Sequence, residues 1–405
     1  MKPIVRAGRM KPVHSDIRGP LFVEAMKRQK QGIDILKLNT GNPATFGFGL
    51  PDSIKNALME HMQDGVGYCD FKGMPQARQA ICDYETSKGI NGITSDDVFI
   101  GNGVSEVVSF ALTPLLNDGD EVLVPSPSYS LWGNSVYLED GKPVFYTCDE
   151  QANWYPDIQD IRSKITDKTK AIVIINPNNP TGVLYPKEIL LEIIQIAREF
   201  GLLIFADEIY DRLVMDGKQH ISLASLTEDV PVITLNGLSK SHCLCGYRCG
   251  WMVISGPREL TEDYRQGIIQ LTSLRLCANT MAQIVIPAAL DDMETPASMV
   301  RPGGRIYEQR EATVRELEKI NGLSFVKNDA AFYVFPKLDV KKFNITNDKQ
   351  FAHDLLDVTN ILLVPGSGFD WKDPDHFRIV MLPQADILSD AIRRMGTFLD
   401  GYKQK

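Results

Sequence analysis

Charged side chains directly after apolar runs are the places where this sequence could do chemistry. Asp207 ends the apolar run at residues 202–206, where a buried carboxylate is costly unless it faces a cation. Lys240 and Arg248 follow the run at residues 232–235 and are eight residues apart, in a stretch rich in glycine and small residues. Together they could serve a covalent carbonyl site and an anion, although each charge alone is more typical of a solvated loop.

Two further loops carry polar groups that a ligand would need. Residues 101–106 follow an apolar run and open a predicted helix, so their glycines and free amides could approach a phosphate. A glycine turn capped by Ser105 is an equally good interpretation. Glu106 replaces the third glycine of the dinucleotide fingerprint, which argues against a nucleotide-dependent dehydrogenase. Residues 176–182 combine two prolines with three asparagines, more amides than a surface turn needs.

The elements that must position these residues are short apolar runs alternating with amphipathic helices. The predicted strands cover residues 98–100, 121–125, 144–147, 171–176, 202–207, 232–235 and 251–254. The clearest predicted helices cover residues 105–116, 187–200 and 257–271. Several strands are apolar without alternation, which is typical of strands covered on both faces. The pattern predicts an α/β domain with a mostly parallel seven-stranded sheet, whose carboxyl edge gathers the ligands.

The character of the chain changes near residue 300. A charged helix at residues 304–319 is followed by several short strands and a last helix near residues 384–402. We therefore expect a large α/β/α domain at 46–300 and a smaller α+β domain at 301–405. The N-terminal segment, residues 1–45, carries too little core to stand alone and is expected to pack on the small domain.

Composition restricts the partners and the location. A formal net charge of −9 argues against nucleic acid and against anionic membranes. The N-terminus lacks the apolar core of a secretory signal, and no run is long and apolar enough for a membrane span. Seven unpatterned cysteines favour a reducing cytoplasm. We expect no metal, because the spacing of Cys243, Cys245 and Cys249 fits no standard ligand pattern.

Eight short motifs together identify a family that none of them identifies alone. In chain order they are N-x-G-N-P at residues 39–43, Y-x-x-x-x-G at 68–73, P-x-Y at 127–129, N-P-N-N-P-T-G at 176–182, D-E-I-Y at 207–210, S-K at 239–240, G-Y-R-x-G at 246–250 and F-R-I at 377–379. The chain resembles the class I pyridoxal-phosphate aminotransferases of fold type I, and the resemblance runs from residue 18 to residue 378. It is most similar to the bacterial glutamate–pyruvate (alanine) aminotransferases, through D-I-R-G-P at 16–20, Y-C-D-x-K-G at 68–73, L-N-G-L-S-K at 235–240, S-x-R-L-C-A-N at 273–279 and the terminal G-Y.

The resemblance implies which residues face the cofactor ring. Lys240 would carry pyridoxal phosphate as a Schiff base and, once freed, shuttle the substrate proton. A lysine suits this step because its pKa falls readily near cations and away from water. Asp207 would pair with the ring nitrogen, Asn179 and Tyr210 would bind the ring oxygen, and Tyr129 would stack on the ring.

The resemblance also implies a phosphate site and a homodimer. The phosphate would lie at the helix start and be held by Gly103, Val104, Ser105, Ser239 and Arg248. Tyr68 would reach the phosphate of the neighbouring subunit, so that two chains share their active sites.

The implied substrates are amino acids and 2-oxo acids, exchanged between alanine with pyruvate and 2-oxoglutarate with glutamate. Arg378 would hold the α-carboxylate, with Gly41 and Asn179 nearby. The distal carboxylate of glutamate needs a further donor, and we expect Arg18 in a mobile N-terminal segment, with Arg275 as the second candidate. Ser15 and His14 precede this motif where the family usually has a tyrosine, so they bear on substrate closure.

Alternatives on the same fold stay open at this stage. The enzyme could prefer other donors, such as valine, aromatic amino acids or aspartate. A C–S β-lyase or a decarboxylase would share Lys240, Asp207 and Arg378, and only the similarity around Arg18 and residues 273–279 favours transamination. A ligand-binding transcription regulator is disfavoured, because the motifs leave no room for a DNA-binding domain and the net charge is negative.

Overall fold

The structure is a computed structural model that describes residues 2–405. Its strands are β1 Leu36–Lys37, β2 Val98–Asn102, β3 Glu121–Ser126, β4 Lys142–Asp149, β5 Tyr155–Pro156, β6 Thr169–Ile175, β7 Leu203–Asp207, β8 Val232–Gly237, β9 Cys249–Ser255, β10 Leu323–Ser324, β11 Tyr333–Val334, β12 Lys337–Leu338, β13 Ile361–Leu362, β14 Val364–Pro365 and β15 Phe377–Val380. Its helices are α1 Pro20–Lys30, α2 Asp52–His61, α3 Pro75–Ser87, α4 Val104–Leu112, α5 Leu131–Leu138, α6 Ile158–Lys164, α7 Lys187–Phe200, α8 Leu238–Ser241, α9 Arg258–Arg275, α10 Thr280–Ile284, α11 Ile286–Asp291, α12 Glu294–Val300, α13 Arg305–Leu317, α14 Val340–Phe343, α15 Asp348–Thr359 and α16 Ala385–Asp400.

The largest sheet has the strand order β2-β9-β8-β7-β6-β3-β4-β5. The central pairs β8–β7, β7–β6, β6–β3 and β3–β4 are parallel. Strand β9 runs antiparallel to both of its neighbours, so β2 points the same way as the central strands. The carboxyl ends of six parallel strands (β2, β3, β4, β6, β7 and β8) therefore lie at one edge.

Both faces of this sheet are buried, because the central strands carry apolar residues on both faces. Along β6, Val173 and Ile175 pack on one side of the sheet, whereas Ile172 and Ile174 pack on the other. Helix α7 covers one side with a stripe of apolar residues that follows the helical period: Leu190, Ile193, Ile194 and Ala197. It ends at Gly201, whose φ of 66° is the left-handed conformation that glycine adopts freely.

The two ends of the chain pack together. Strand β1, near the N-terminus, pairs in parallel with β13. Leu38 joins a core that is otherwise built from residues between Leu317 and Leu399, around the three-stranded sheet β11-β15-β14. This contact joins the N-terminal segment to the C-terminal region, while the division of the chain at residues 45 and 300 stays a prediction.

The fold confirms the seven predicted strands and adds one. The eighth strand is the two-residue β5, antiparallel to β4 at the edge of the sheet, which is too short to leave a pattern in the sequence. The predicted helix at residues 105–116 ends already at Leu112, because Pro114 has no backbone N–H to continue the helical hydrogen bonds beyond Thr113. The predicted helix at residues 187–200 is α7, with the same bounds.

No single helix within residues 2–405 is long and apolar enough to cross a membrane. The segments Arg258–Arg275 and Thr280–Asp291 pass a test of length and composition only when they are joined, and they are bent by 119°.

Candidate active site

A cavity of about 780 Å³ opens at the carboxyl edge of the large sheet. This volume is that of a typical small-molecule site. Twelve of the fourteen predicted site residues line it: Arg18, Gly41, Val104, Ser105, Tyr129, Asn179, Asp207, Tyr210, Ser239, Lys240, Arg248 and Arg378. They come from the ends of five parallel strands, from the start of β9, from the N-terminal segment and from β15.

Gly103 does not line the cavity but shapes its floor. Its φ is 86°, and a Cβ atom on it would lie 2.2 Å from Nη2 of Arg248. Only glycine therefore lets the Arg248 side chain lie over the first residues of α4, Val104 and Ser105. Arg248 donates a hydrogen bond from Nη1 to the carbonyl of Cys245, 2.9 Å away, and has no carboxylate partner among residues 2–405. A guanidinium above the free amides of a helix start is suited to a phosphate.

Asp207 ends β7 in a buried position where its hydrogen-bond partners are neutral groups. Its carboxylate accepts hydrogen bonds from Nε1 of Trp132 at 3.1 Å and from the backbone N–H of Ile209 at 3.3 Å. Burial raises the pKa of Asp207 to about 6. A carboxylate in such a place is stabilised by a cation, and the cavity in front of it has room for one.

Lys240 follows β8 and points its ammonium into the cavity. Nζ donates a hydrogen bond to the carbonyl of Gly41 at 2.9 Å. Burial by itself lowers the pKa of Lys240, but the ionisable groups of Tyr333, Cys245 and Tyr129 outweigh it and leave the pKa above its ordinary value. A lowered pKa would favour Lys240 as a proton-transfer group. The protein groups around it do not by themselves produce that lowering.

Arg378 is held between two aromatic rings, with its guanidinium carbon 4.6 Å from the ring centroids of Tyr333 and Phe369. Nη1 donates to the side-chain oxygen of Asn179 at 2.9 Å, and Nη2 donates to the backbone carbonyl of Asn39. Nε is buried and has no hydrogen-bond partner in the described chain. A buried guanidinium that is bound only by neutral oxygens has an uncompensated charge, which an anionic ligand would stabilise.

The five charged side chains that line the cavity all lack an ion-pair partner in the described chain. Four are cationic and one is anionic, which gives the cavity a net charge of +3 in a chain whose own formal charge is −9. Within residues 2–405, none of the five has an ion-pair partner, although the same chain pairs many of its other charges. The five are Arg18, Asp207, Lys240, Arg248 and Arg378.

The N-terminal segment closes one side of the cavity. Arg18 ends the short turn Asp16–Arg18, is exposed, and lines the cavity without a hydrogen bond to another described side chain. Ser15 also lines the cavity. His14 instead anchors the segment: its ring lies 3.1 Å from the carboxylate of Asp370, and its backbone N–H donates to Asn134 at 3.1 Å.

The role of Arg275 as the second candidate for a distal carboxylate stays a prediction. Arg275 does not line the cavity, because its guanidinium is committed to the carboxylate of Glu106 at 2.5 Å and to the carbonyl of Ile100 at 3.1 Å. Tyr68 does not line the cavity of its own chain either, and it is 84% exposed. Its role across a subunit boundary stays a prediction.

Three residues at the site were missed from the sequence. The hydroxyl of Tyr333 lies 2.8 Å from that of Tyr210, and its ring supports Arg378. Trp132 binds Asp207, and Cys245 lines the cavity. The paired aromatics at residues 332–333 were a usable signal for Tyr333, whereas Trp132 has the pattern of an ordinary core residue.

Comparison with known proteins agrees with this geometry. Residues 33–392 match the family described as aminotransferase class I and II. The chain is 50% identical over 404 residues to the glutamate-pyruvate aminotransferase AlaA of Haemophilus influenzae, with 100% of both chains covered. A solved aminotransferase from Escherichia coli superposes with a TM-score of 0.98 at 47% identity over 100% of both chains. The solved alanine aminotransferase from Pyrococcus furiosus gives 0.92 at 40% identity, over 98% of this chain and 100% of that one.

The chain therefore belongs to the class I and II aminotransferase family, and it is an aminotransferase that depends on pyridoxal phosphate. The residues present fit that cofactor on three independent points. Asp207 is a buried carboxylate that lacks a cation, Gly103 leaves room for Arg248 over a helix start, and the buried Nε of Arg378 lacks a partner.

Proposed function

We propose that this enzyme transfers the amino group between L-alanine with pyruvate and 2-oxoglutarate with L-glutamate, in alanine biosynthesis. The observation that carries the proposal is the set of unpaired cations in the cavity. The cofactor phosphate, the α-carboxylate and the distal carboxylate of a five-carbon substrate are three anionic groups, and Arg248, Arg378 and Arg18 can each take one. Relatives named as glutamate-pyruvate and alanine aminotransferases support the same substrates.

Pyridoxal phosphate supplies an electron sink for the pair left when the substrate Cα proton is removed. Lys240 would hold the cofactor covalently and, once released by the substrate, move that proton between Cα and the C4′ carbon of the cofactor. The carbonyl of Gly41, 2.9 Å from Nζ, orients the amine for this transfer.

Four residues would contact the cofactor ring. Asp207 would hold the ring nitrogen in its protonated form, since a buried carboxylate strongly favours a neighbouring cation. The hydroxyl of Tyr210 and the side-chain N–H of Asn179 would donate to the ring oxygen. Asn179 is oriented for this, because its oxygen already accepts from Arg378. Tyr129, at the end of β3, would stack on the ring.

The phosphate cradle combines backbone and side-chain donors. The amides of Val104 and Ser105 start α4, and Arg248 lies above them. The hydroxyls of Ser105 and Ser239 complete the set. Because the two amides are fixed by the start of α4, the phosphate would anchor the cofactor while its ring and the substrate change.

Arg378 would bind the α-carboxylate of every substrate, with the backbone of Gly41 beside it. This contact fixes the Cα–H bond relative to the ring and thereby promotes its cleavage. Arg18 would bind the distal carboxylate of glutamate and would turn away when alanine is bound. Its exposure and its freedom from partners support a residue that moves.

We also propose a homodimer in which Tyr68 completes the site of the neighbouring subunit. Tyr68 lies in an exposed apolar patch, and segments 62–69 and 274–283 meet there through the hydrogen bond from Thr280 to the carbonyl of Gly65 at 2.6 Å. The large exposed side chains of this patch are Met62, Val66, Tyr68, Leu274 and Leu276. Patches of this kind mark contact surfaces between subunits.

Mixed dimers test this arrangement. Lys240→Ala and Tyr68→Ala are each expected to be nearly inactive alone. When they are mixed and the subunits exchange, one site of each mixed dimer receives both native residues, so activity returns. No recovery in mixtures that demonstrably exchange subunits would contradict a shared site.

We propose the reducing cytoplasm as the location, since all seven cysteines are free thiols. Fractionation of cells that produce the protein at its natural level tests this, and recovery in the periplasmic fraction would contradict it.

A half-reaction screen tests the substrates. Each amino acid is added without acceptor to the purified enzyme loaded with its cofactor, and the loss of the long-wavelength absorbance of the cofactor is followed. Alanine and glutamate are expected to remove it, and valine, aspartate and aromatic amino acids to do so more slowly. If neither alanine nor glutamate has an effect, the substrate assignment is wrong, although the cofactor assignment stands.

A further inference from the structure

A buried charge cluster lies directly behind the active site. Lys88, which caps the C-terminus of α3, places its Nζ 2.6 Å from Glu85, 2.8 Å from Glu208 and 3.3 Å from Asp211. Its side chain is 13% exposed, and the three carboxylates are at most 3% exposed. One ammonium thus holds three acidic groups together away from water.

Two of these carboxylates are chain neighbours of cavity residues. Asp207 and Tyr210 line the cavity, whereas Glu208 and Asp211, each the next residue in sequence, face the opposite side and bind Lys88. The segment 207–211 therefore presents the carboxylate of Asp207 and the hydroxyl of Tyr210 to the ligand. On its opposite side, Glu208 and Asp211 bind it to Lys88, and these two contacts are called the tie below. A shift at the tie moves Asp207 and Tyr210 with it.

The cluster reaches the other strand ends of the site as well. Asn236, near the end of β8 and four residues before Lys240, donates to Asp211 at 2.7 Å. The ring of His220 lies 4.0 Å from Glu208 and 3.1 Å from the carbonyl of Asn176, which opens the loop of Asn179. The same cluster thus contacts the three strand ends that deliver the ring-binding residues and the lysine.

The remaining bonds leave the cluster little freedom. Glu208 accepts from the hydroxyl of Ser222 at 2.8 Å and from the N–H of Leu223 at 3.1 Å, and Tyr84 donates to Asp211 at 2.5 Å. Burial by itself lowers the pKa of Lys88, but the surrounding carboxylates outweigh it and hold the pKa well above its ordinary value. The ammonium therefore stays charged, and the carboxylates cannot separate without exposing buried charge.

We propose that Lys88 is a positioning residue for transamination: its ammonium binds Glu208 and Asp211 and thereby fixes Asp207 and Tyr210 against the cofactor ring. This inference rests on the proposed roles of Asp207 and Tyr210. It assigns no contact between Lys88 and either substrate or cofactor.

Two variants of the loaded enzyme test the proposal. Lys88→Met removes the charge at similar length, and Glu208→Gln keeps the hydrogen-bond acceptor while weakening the tie. Lys88→Arg is the conservative variant that should rescue. The matched control is Asp97→Asn, which breaks another buried pair, the 2.6 Å contact with Arg265. The readouts are the dissociation constant of pyridoxal phosphate, the pH midpoint of the absorption band of the bound cofactor, and kcat and KM for alanine.

Lys88→Met and Glu208→Gln are expected to shift the pH midpoint, to weaken cofactor binding about tenfold and to lower kcat by up to about a hundredfold, with a smaller change in KM. Lys88→Arg should restore most of each. Asp97→Asn should lower the melting temperature and leave the midpoint and cofactor affinity unchanged.

The proposal is overturned if folded Lys88→Met or Glu208→Gln binds pyridoxal phosphate with native affinity and has a native pH midpoint of the cofactor absorption band. If Lys88→Met does not fold, Glu208→Gln decides alone. Failure of the proposed function has a different signature. Alanine and glutamate would then fail to react with the unmodified enzyme, while the spectral shift in Lys88→Met would still be present. Asp207→Asn tests the underlying role directly, since a native midpoint in that variant would remove the basis of the inference.

Discussion

The cavity and the cluster behind it contain the same types of charged side chain, but those in the cavity are unpaired and those in the cluster are paired. In the cavity, Asp207, Lys240 and Arg378 have no ion-pair partner within the described chain. Behind it, Lys88 lies 2.6 Å from Glu85, 2.8 Å from Glu208 and 3.3 Å from Asp211, so each carboxylate of that cluster has the ammonium as an ion-pair partner. Both regions are buried, so burial alone does not mark a functional residue. The buried charge that the fold leaves unpaired is the one that a ligand pairs.

Two arginines show the same contrast at equal burial. The side chain of Arg310 is 0% exposed and binds Asp216 through two nitrogens, each at 2.6 Å. Arg378 is 1% exposed and binds only neutral oxygens. Arg310 therefore joins α13 to the loop after Met215, whereas Arg378 has its charge available for a substrate carboxylate.

The strongest test of the comparison is the removal of the unpaired lysine. Lys240→Ala is expected to reduce kcat by about 10⁴-fold, because the proton-transfer group is lost. Stopped-flow absorbance of the half-reaction with alanine measures it. Lys164→Ala removes a lysine that is paired with Asp160 at 2.6 Å and should keep kcat within about twofold. A Lys240→Ala enzyme with substantial turnover would contradict the assignment.

Exchange of the two arginines for alanine should separate function from stability. Arg378→Ala is expected to reduce kcat/KM for alanine and for glutamate alike by about two orders of magnitude, since the buried carboxylate contact is lost. Arg310→Ala should instead lower the free energy of unfolding by about 3 kcal/mol, because Asp216 loses its partner. Steady-state kinetics and thermal unfolding of both variants check this, and an effect of Arg310→Ala on KM larger than that of Arg378→Ala would break the comparison.

The seven main strands and the long helices could be predicted because their signals are local. The apolar runs, Gly201 after α7 and the glycines around residue 101 each fix one element from adjacent residues. Tyr129, Asn179, Asp207 and Lys240 could be placed for the same reason, since each lies at or shortly after the end of a strand and the carboxyl edge collects them. The eighth strand, β5, has only two residues and no period to recognise.

The pairing of charges could not be predicted, because it depends on contacts between distant segments. Arg275 and Arg18 are both arginines near family motifs, yet Glu106, 169 residues away, binds Arg275, while Arg18 stays unpaired. The contact between Lys88 and Glu208 spans 120 residues. No spacing in the sequence distinguishes an arginine whose charge stays unpaired from one that binds its own chain.

The aspartates on the two sides of residues 207–211 should have opposite effects on stability. Burial raises the pKa of Asp207 to about 6, so the folded protein keeps this proton while the unfolded chain releases it at about pH 4. Folding stability from this group therefore falls between pH 4 and pH 6, and above pH 6 the buried carboxylate destabilises the fold. In the cofactor-free protein, Asp207→Asn should raise the free energy of unfolding by up to about 3 kcal/mol at pH 8 and leave it unchanged at pH 4.

Asp211 provides the matched control, because its effect on the free energy of unfolding should have the opposite sign. Burial by itself raises the pKa of Asp211, but Lys88 and His220 outweigh it and hold the pKa below its ordinary value. Its stabilising contribution is present above about pH 4 and is lost as the pH falls. Asp211→Asn should therefore lower the free energy of unfolding at pH 8. Urea denaturation at both pH values measures the two variants, and effects of the same sign would contradict the contrast.

The smallest expected effect concerns the exposed arginine at the mouth of the cavity. Arg18→Ala should raise KM for glutamate and 2-oxoglutarate by about tenfold, the loss of one charge-assisted hydrogen bond, and leave KM for alanine unchanged. Arg28→Ala is the control, because Arg28 is already bound by Glu24 and Asp357. An unchanged KM for glutamate in Arg18→Ala would remove the residue from the specificity site. The α-carboxylate, bound by Arg378, would then be the only substrate carboxylate with a defined partner. Preference for glutamate would have to come from the shape of the cavity rather than from its charge.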